Sequence, residues 1–172
     1  GPIGSSFSRR TMIRYTYNDP MLAKFTVALE DPEDGAREPN LVARVDKTFE
    51  WGNVNLRLLS HEKRRDGLEP KRGFGVGLGG GFKLDDKNLL MAQYAHVTGD
   101  YDMMYGSFGY ADDGAGKFLF DKTDGLVAGW SHIYSPQLRA NLVLGMLRSK
   151  GDPVFDNRRL SQLHIGAIYS PI

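Results

Sequence analysis

Apolar and polar residues alternate one by one along several stretches of the chain. In residues 11–17, apolar Ile13 and Tyr15 lie on either side of polar Arg14, and residues 23–30 repeat the pattern. A repeat of two residues with one apolar face predicts a β-strand. Nine strands are expected, at residues 11–18, 22–30, 40–48, 51–61, 72–83, 87–98, 122–134, 137–149 and 159–169.

The connectors between these predicted strands alternate between short and long. Short connectors follow the first, third, fifth and seventh strands and contain turn-forming residues such as Asn18, Asp19 and Pro20. Strands of ~9–11 residues joined in this way are typical of a transmembrane antiparallel up-and-down β-barrel, with periplasmic turns and extracellular loops. The long connectors are expected at 31–39, 62–71, 99–121 and 150–158.

The strand count bears on how much of a barrel the chain contains. Bacterial single-chain barrels have an even number of strands, whereas about nine are expected here. We therefore interpret residues 1–172 as one partial outer-membrane β-barrel domain, with strands missing at both ends.

Aromatic residues mark the short-turn ends of the predicted strands. Aromatic rings collect at the boundary between lipid and water because they join an apolar body to a polar edge. The alternative is a secreted soluble β-sandwich or ligand-binding barrel, in which the apolar face would point inward. The aromatic residues concerned are Tyr17, Phe49, Trp51, Phe82, Tyr134 and Tyr169.

Composition excludes some functions and leaves others open. The 22 basic and 21 acidic residues nearly cancel, which argues against a nucleic-acid-binding protein. The chain has no cysteine, so disulfides and thiolate metal sites are excluded. No apolar run approaches the ~20 residues of a membrane helix, but a barrel strand needs only every second residue to be apolar.

Strand parity divides the predicted strands into an apolar face for lipid and a polar face for a lumen. The polar face carries five basic residues and a central Asp46. Concentrated positive charge in a narrow aqueous passage favours anions. In a soluble sheet the same charges would only be solvated. The predicted pore-lining residues are Arg14, Lys24, Arg44, Asp46, Arg57, Arg139 and His164.

Two further segments carry an unusual pattern. Glycine occupies every second position from Gly73 to Gly81, which leaves room for a solute or an inward-folded loop, or else marks close backbone packing. Both faces of strand 87–98 are mostly apolar, so its orientation is not assigned. The loop 99–121 is rich in aromatic residues and methionine and is expected to fold across the mouth or against a neighbour.

Chemistry of the side chains gives little support for catalysis. Ser131 and His132 are adjacent on one strand and therefore point to opposite faces. The histidines have no metal-ligand spacing. Acidic clusters in the loops at 31–34, 100–102 and 112–113 are more often solvated than cation-binding. No enzyme activity, cofactor or metal is expected.

Several runs of residues resemble bacterial outer-membrane porins. Arg-Tyr-Thr-Tyr at 14–17 and the strand and loop at 24–33 resemble a porin strand pair. Residues 125–145, with Ile-Gly-Ala-Ile-Tyr-Ser-Pro at 165–171, are similar to the later strands of the DcaP-like porin family. The resemblance implies part of a sixteen-stranded trimeric barrel, in which these strands would be the sixth to the fourteenth.

The resemblance also implies a function and partners. We expect passive diffusion of small hydrophilic, anionic solutes such as dicarboxylates through the outer membrane of a Gram-negative bacterium. The expected partners are those solutes, outer-membrane lipid and lipopolysaccharide, and two further copies in a homotrimer. A surface adhesion or receptor barrel, whose long loops would be functional, is the alternative within the membrane class.

Overall fold

The computed structural model of the protein describes residues 11–32, 35–100, 104, 106–150 and 157–171. These residues form eleven β-strands, and none of them belongs to a helix that could cross a membrane. The strands are β1 (Met12–Asn18), β2 (Lys24–Glu30), β3 (Asn40–Phe49), β4 (Gly52–Lys63), β5 (Lys71–Lys83), β6 (Asn88–Thr98), β7 (Tyr110–Asp112), β8 (Phe118–Phe120), β9 (Lys122–Ser135), β10 (Leu138–Lys150) and β11 (Arg158–Tyr169).

Nine strands form one antiparallel sheet in the order β1-β2-β3-β4-β5-β6-β9-β10-β11. Each strand pairs with the next along the chain, except that β6 pairs with β9. These are the nine strands expected from the alternating pattern, with ends that differ by a few residues. β1 and β2 have 7 residues each and are shorter than expected. Within the described residues the sheet does not close on itself.

Short turns and long connectors lie at opposite ends of this sheet, as the sequence predicted. Short turns join β1 to β2, β3 to β4, β5 to β6 and β9 to β10. In the turn after β5, Asp85 accepts hydrogen bonds from the side chain of Asn88 and the backbone N–H of Lys87. These bonds hold the pKa of the Asp85 carboxyl below its usual value. The two ends are called the short-turn end and the long-connector end below.

A small hairpin of β7 and β8 lies inside the longest connector, residues 99–121. The Asp113 carboxylate accepts hydrogen bonds from the backbone N–H groups of Lys117 and Ala115, which lower its pKa. Each strand of this hairpin has only 3 residues. Stretches that short give no usable alternation, so the hairpin was not expected.

One face of the nine-stranded sheet is apolar and uncovered. Ile13 is 80% exposed, Ile165 is 78% exposed and Phe74 is 57% exposed. A soluble sandwich would cover such a face, because a large exposed apolar patch costs free energy in water. Nothing in the described part of the chain packs over it, which favours contact with lipid.

Aromatic rings lie side by side at the short-turn end of β3, β4 and β5. Trp51 stacks between Phe49 and Phe82, with ring centroids 4.7 and 5.1 Å apart. Rings at this level can anchor a barrel at the boundary between lipid and water. Three of the six aromatic residues predicted at the short-turn ends are therefore in contact there, and their place at a membrane boundary stays a prediction.

Candidate functional site

The register of the sheet identifies the residues on the face opposite the apolar one, called the polar face below. Arg44 lies directly opposite Arg57, and Asp46 lies opposite Lys24. The parity used on the sequence therefore agrees with the observed pairing. The polar residues that the sequence predicted for this face do share it: Arg14, Lys24, Thr26, Arg44, Asp46, Asn53, Asn55, Arg57, Ser131, Arg139, Asn141, Gln162 and His164. The register adds others, among them the acidic Glu30.

Four basic residues on the polar face of β1 to β4 are called the basic wall: Arg14, Lys24, Arg44 and Arg57. Of these four, Arg44 and Arg57 lie directly opposite each other, on strands ~4.8 Å apart. Arg14 lies opposite Ala28, and Lys24 lies opposite Asp46. The Arg44 Nε donates to both carboxylate oxygens of Asp46, at 2.9 and 2.8 Å. Asp46 therefore offsets one of the four positive charges, and the wall keeps an excess of positive charge.

Arg57 lies at the inner edge of the basic wall, beside the glycine row of β5. Its Nε is buried without a hydrogen-bond partner, while the side chain as a whole is half-buried. A small cleft of about 170 Å³ borders it, lined by Glu30, Leu59 and Gly77 among others. The cleft therefore places a guanidinium and a carboxyl group beside the same open space.

The structure separates the two other predicted pore-lining residues from the basic wall. Arg139 lies opposite Ile133 and Ile168 near the short-turn end of β10. His164 lies opposite Val143 on β11. Both share the polar face but are several strands away from Arg57 in the sheet. Whether any of the seven residues lines a passage stays a prediction.

The connector 99–121 folds onto the polar face at its long-connector end. Met104 is fully buried and packs against Val97 and Leu147, with Ala95 and Leu160 at the edge of the cluster. All four partners belong to the polar face by register. The described part of this connector, called the inner segment below, therefore covers the polar face. Residues 101–103 and 105, which hold Tyr101, Asp102, Met103 and Tyr105, lie outside the described residues.

Asp121 fastens the end of the inner segment to the sheet. Its side chain is 1% exposed. The Oδ2 atom accepts hydrogen bonds from the Thr123 hydroxyl at 2.8 Å and from the Phe108 backbone N–H at 3.0 Å. The Oδ1 atom accepts one from the Ser149 hydroxyl. A buried carboxylate satisfied in this way ties β9, β10 and the segment together.

Basic side chains at the long-connector end hold the rest of the inner segment. Lys63 Nζ lies 3.8 Å from the Asp100 carboxylate, and both side chains are almost fully buried. Lys71 Nζ donates to the Phe118 carbonyl at 2.8 Å. Arg158 donates to the Gly106 carbonyl. These three basic side chains therefore attach the inner segment to the sheet.

His61 completes the contact between β4 and the inner segment. It is 1% exposed, and its Nε2 lies 2.8 Å from the Thr98 carbonyl oxygen. Its ring lies against Phe120, with centroids 6.1 Å apart. The inner segment thus packs against the polar face and forms hydrogen bonds and an ion pair with it. It occupies part of the space in front of that face.

The fold matches that of a known membrane protein. The chain is similar to the crystal structure of the outer membrane channel DcaP of Acinetobacter baumannii, with a TM-score of 0.89 and 25% sequence identity. The chain has the fold of an outer-membrane channel. The match covers 100% of this chain and 55% of the DcaP chain, so the protein described here spans about half the length of that channel. No family model and no curated protein matches the sequence.

This similarity confirms two expectations from the sequence. The resemblance to a DcaP-like porin extends over the whole chain, and the all-β antiparallel sheet corresponds to part of a porin barrel. The similarity also supports a role for the protein in a channel. It does not bear on which solutes pass.

The structure separates Ser131 from His132, and it brings together no cluster suited to a metal ion among the described residues. Ser131 lies on the polar face opposite Leu89, so adjacent His132 points to the other side. No group of three or more His, Asp or Glu side chains suited to a metal ion occurs in the described part of the chain. Three members of the acidic loop clusters, Glu33, Asp34 and Asp102, lie outside it.

Open space and close packing were the two explanations for the glycine row of β5, and each applies at a different glycine. A β-carbon at Gly73 would lie 2.5 Å from the Thr98 carbonyl oxygen and closer still to the His61 ring, so Gly73 is required for close packing. A β-carbon at Gly77 would lie 3.3 Å from the guanidinium of Arg57, a flexible side chain that can move. Gly77 therefore keeps space open, whereas Gly73 allows β5 to pack closely against His61 on β4 and the Thr98 backbone on β6.

This difference predicts the effect of adding one methyl group. Gly73→Ala should lower the free energy of unfolding by about 1–3 kcal/mol, because the backbone of Thr98 cannot move away cheaply. Gly77→Ala is the matched control and should cost much less. Urea unfolding of the protein in lipid vesicles measures both. Equal losses for the two variants would mean that Gly73 does not pack as described.

Sequence reasoning missed the residues that hold the inner segment. Lys63, Lys71 and Arg158 lie at or beyond the predicted strand ends, where parity gives no assignment. Asp121 and Thr123 stand at the start of β9 and were counted with the loop or left out. The one available signal was a long connector too apolar to extend into water.

Proposed function

We propose that the protein is part of an outer-membrane channel that allows passive diffusion of small hydrophilic, anionic solutes, dicarboxylates among them. The basic wall supports this proposal, since Arg14, Lys24, Arg44 and Arg57 share one face on adjacent strands. With the apolar face in contact with lipid, the polar face lines an aqueous passage. The location would be the outer membrane of a Gram-negative bacterium.

The full assembly goes beyond this chain. The chain corresponds to a little over half of the DcaP channel, and we propose that it supplies one portion of a larger closed barrel. A sixteen-stranded barrel and a homotrimer are the arrangements that the porin resemblance implies. In such an assembly the basic wall and the inner segment would lie within each barrel, so every subunit would conduct separately.

Selectivity follows from the position of the charges. Fixed positive charge on the wall attracts anions and repels cations, and salt screens both effects. The screening length is about 30 Å at 0.01 M salt but about 3 Å at 1 M. Anion preference should therefore be strong in dilute salt and weak in concentrated salt.

Charge reversal of the basic wall is the direct test. We expect the double substitution Arg44→Glu and Arg57→Glu to move the zero-current potential in a salt gradient from the anion-selective toward the cation-selective side. Planar-bilayer recordings at low ionic strength measure this shift. Arg65→Glu is the control, because Arg65 is exposed in the connector after β4 and is not on the polar face.

Two outcomes would count against the proposal. If ion preference is unchanged in the double variant, the basic wall does not lie along the path of the ions. If the purified protein inserts into the bilayer but carries no current, the channel role itself fails.

A further inference from the structure

A second group of basic residues lies on the apolar side of the sheet, at its long-connector end. Arg148 is directly opposite Arg159, and Lys150 is directly opposite Lys122. All four side chains are exposed. They are called the outer basic patch below, and they are separate from the basic wall because they belong to the other face.

The outer basic patch carries more positive than negative charge. Like charges directly opposite each other on neighbouring strands destabilise a sheet. Asp124, which lies opposite Arg148, already accepts hydrogen bonds from the Tyr94 hydroxyl at 2.6 Å and from His96 Nδ1 at 2.9 Å. Within the described residues, neither arginine of the patch forms an ion pair. Asp124 also interacts electrostatically with Lys150, so in the described part of the chain one carboxylate stands beside four basic side chains, and the patch keeps an excess of positive charge.

The surface around the patch is concave and joins apolar residues. A cleft of about 550 Å³ has Arg148, Arg159 and Asp124 in its lining at the long-connector end, and Tyr94, Leu126 and Met146 further along. Leu144 and Leu163, 40% and 58% exposed, continue the apolar surface toward the short-turn end. The guanidinium groups of Arg148 and Arg159 therefore lie at the long-connector end of an apolar surface that suits acyl chains.

We propose that the outer basic patch binds the phosphate groups of a phosphorylated, multiply acylated glycolipid, the lipid A part of lipopolysaccharide, in the outer leaflet. Arginine binds phosphate through paired N–H groups, and a phosphate between Arg148 and Arg159 would remove their mutual repulsion. The acyl chains would lie along Leu126, Met146 and Leu163. A free phosphate ion would gain nothing from the apolar surface, which is why a lipid is the occupant that fits. This inference rests on the proposed location in the outer membrane.

The test uses protein purified from outer membranes and then stripped of lipid. Binding of bis-phosphorylated lipid A is measured by native mass spectrometry in detergent, beside dephosphorylated lipid A and inorganic phosphate. We expect the bis-phosphorylated lipid to be retained most strongly. The double substitution Arg148→Gln and Arg159→Gln should weaken its retention roughly thirtyfold.

Matched controls separate this effect from damage to the fold. The substitutions Lys83→Gln and Lys87→Gln remove two exposed charges at the short-turn end and should leave lipid retention unchanged. A heat-dependent shift in gel mobility shows that both double variants are folded. In phosphatidylcholine bilayers without lipid A, the Arg148 and Arg159 variant should conduct as the unmodified protein does.

Three results would overturn the inference. Equal retention of dephosphorylated lipid A would exclude recognition of phosphate, and full competition by inorganic phosphate would indicate a free-anion site. Loss of the oligomer with unchanged lipid retention would show that the patch contacts a second copy of the chain. Lipid retention without any ion current would instead refute the channel function and leave this site standing.

Discussion

Leu56→Arg is expected to destabilise the membrane-inserted protein by about 2–4 kcal/mol, the cost of a cationic side chain facing lipid near the middle of the bilayer. Leu56 is 40% exposed on the apolar face, opposite Val45 and Leu78. No water reaches this depth on the lipid side, so the guanidinium must bend toward the surface or distort the bilayer. The expected result is a lower folded fraction in outer membranes.

Asn55→Arg is the matched control for this prediction. Asn55 is the neighbouring residue on β4 and belongs to the polar face, opposite Asp46 and Gly79. An added arginine would be hydrated there and could pair with Asp46. Urea titration of both variants in vesicles gives the two free energies of unfolding. Equal destabilisation, or greater loss in Asn55→Arg, would reverse the assignment of the two faces and favour a soluble sheet.

The second large effect is expected at Asp121. Asp121→Ala removes a buried carboxylate that accepts hydrogen bonds from Thr123, Ser149 and the Phe108 backbone. Bonds to a charged acceptor contribute about 1.5–3 kcal/mol each, although such contributions do not add fully. The buried hydroxyl groups would also lose their partner. We therefore expect the inner segment to detach from the polar face while the main sheet stays paired.

Single-channel conductance is the measurement that should detect this detachment. Single-channel current should rise and become noisier in Asp121→Ala, because a freed segment no longer occupies a fixed position. Limited proteolysis should cut the variant within residues 106–120 faster than the unmodified protein. Asp86→Ala, which changes an exposed aspartate in the turn between β5 and β6, should alter neither measurement. If Asp121→Ala behaves in the same way, the inner segment does not narrow the passage.

The main sheet was predictable because the alternation of apolar and polar residues within each strand shows which side chains lie on each face. A period of two residues fixes which side chains share a face. Turn-forming residues such as Asp19 and Asp85 mark where the chain reverses. These signals are local, and they led to nine strands, the alternation of connectors and the faces of the basic wall.

An inward fold of the connector 99–121 was one of two expectations, but the attachment of the inner segment was not predictable because it depends on residues far away in the sequence. Its fixing points include Lys63 on β4 and Ser149 on β10, which lie on either side of it along the chain. The same long-range packing explains why strand 87–98 gave no clear face. One side of β6 belongs to the uncovered apolar face, while Val97 and Ala95 on the other side pack against Met104. Both sides are therefore apolar, and parity cannot separate them.

The order in which the sheet pairs has a consequence for assembly of the protein. Every pairing in the sheet except that of β6 with β9 joins strands adjacent in sequence, so strands can be added one hairpin at a time with little loss of loop entropy. The inner segment differs, since Ser149 and Arg158 on β10 and β11 contribute to its attachment. Those strands are synthesised after it. The full set of contacts that attach the segment therefore requires β10 and β11 as well as the strands before it, so a chain cut short before β10 should keep its hairpins but hold the segment less firmly.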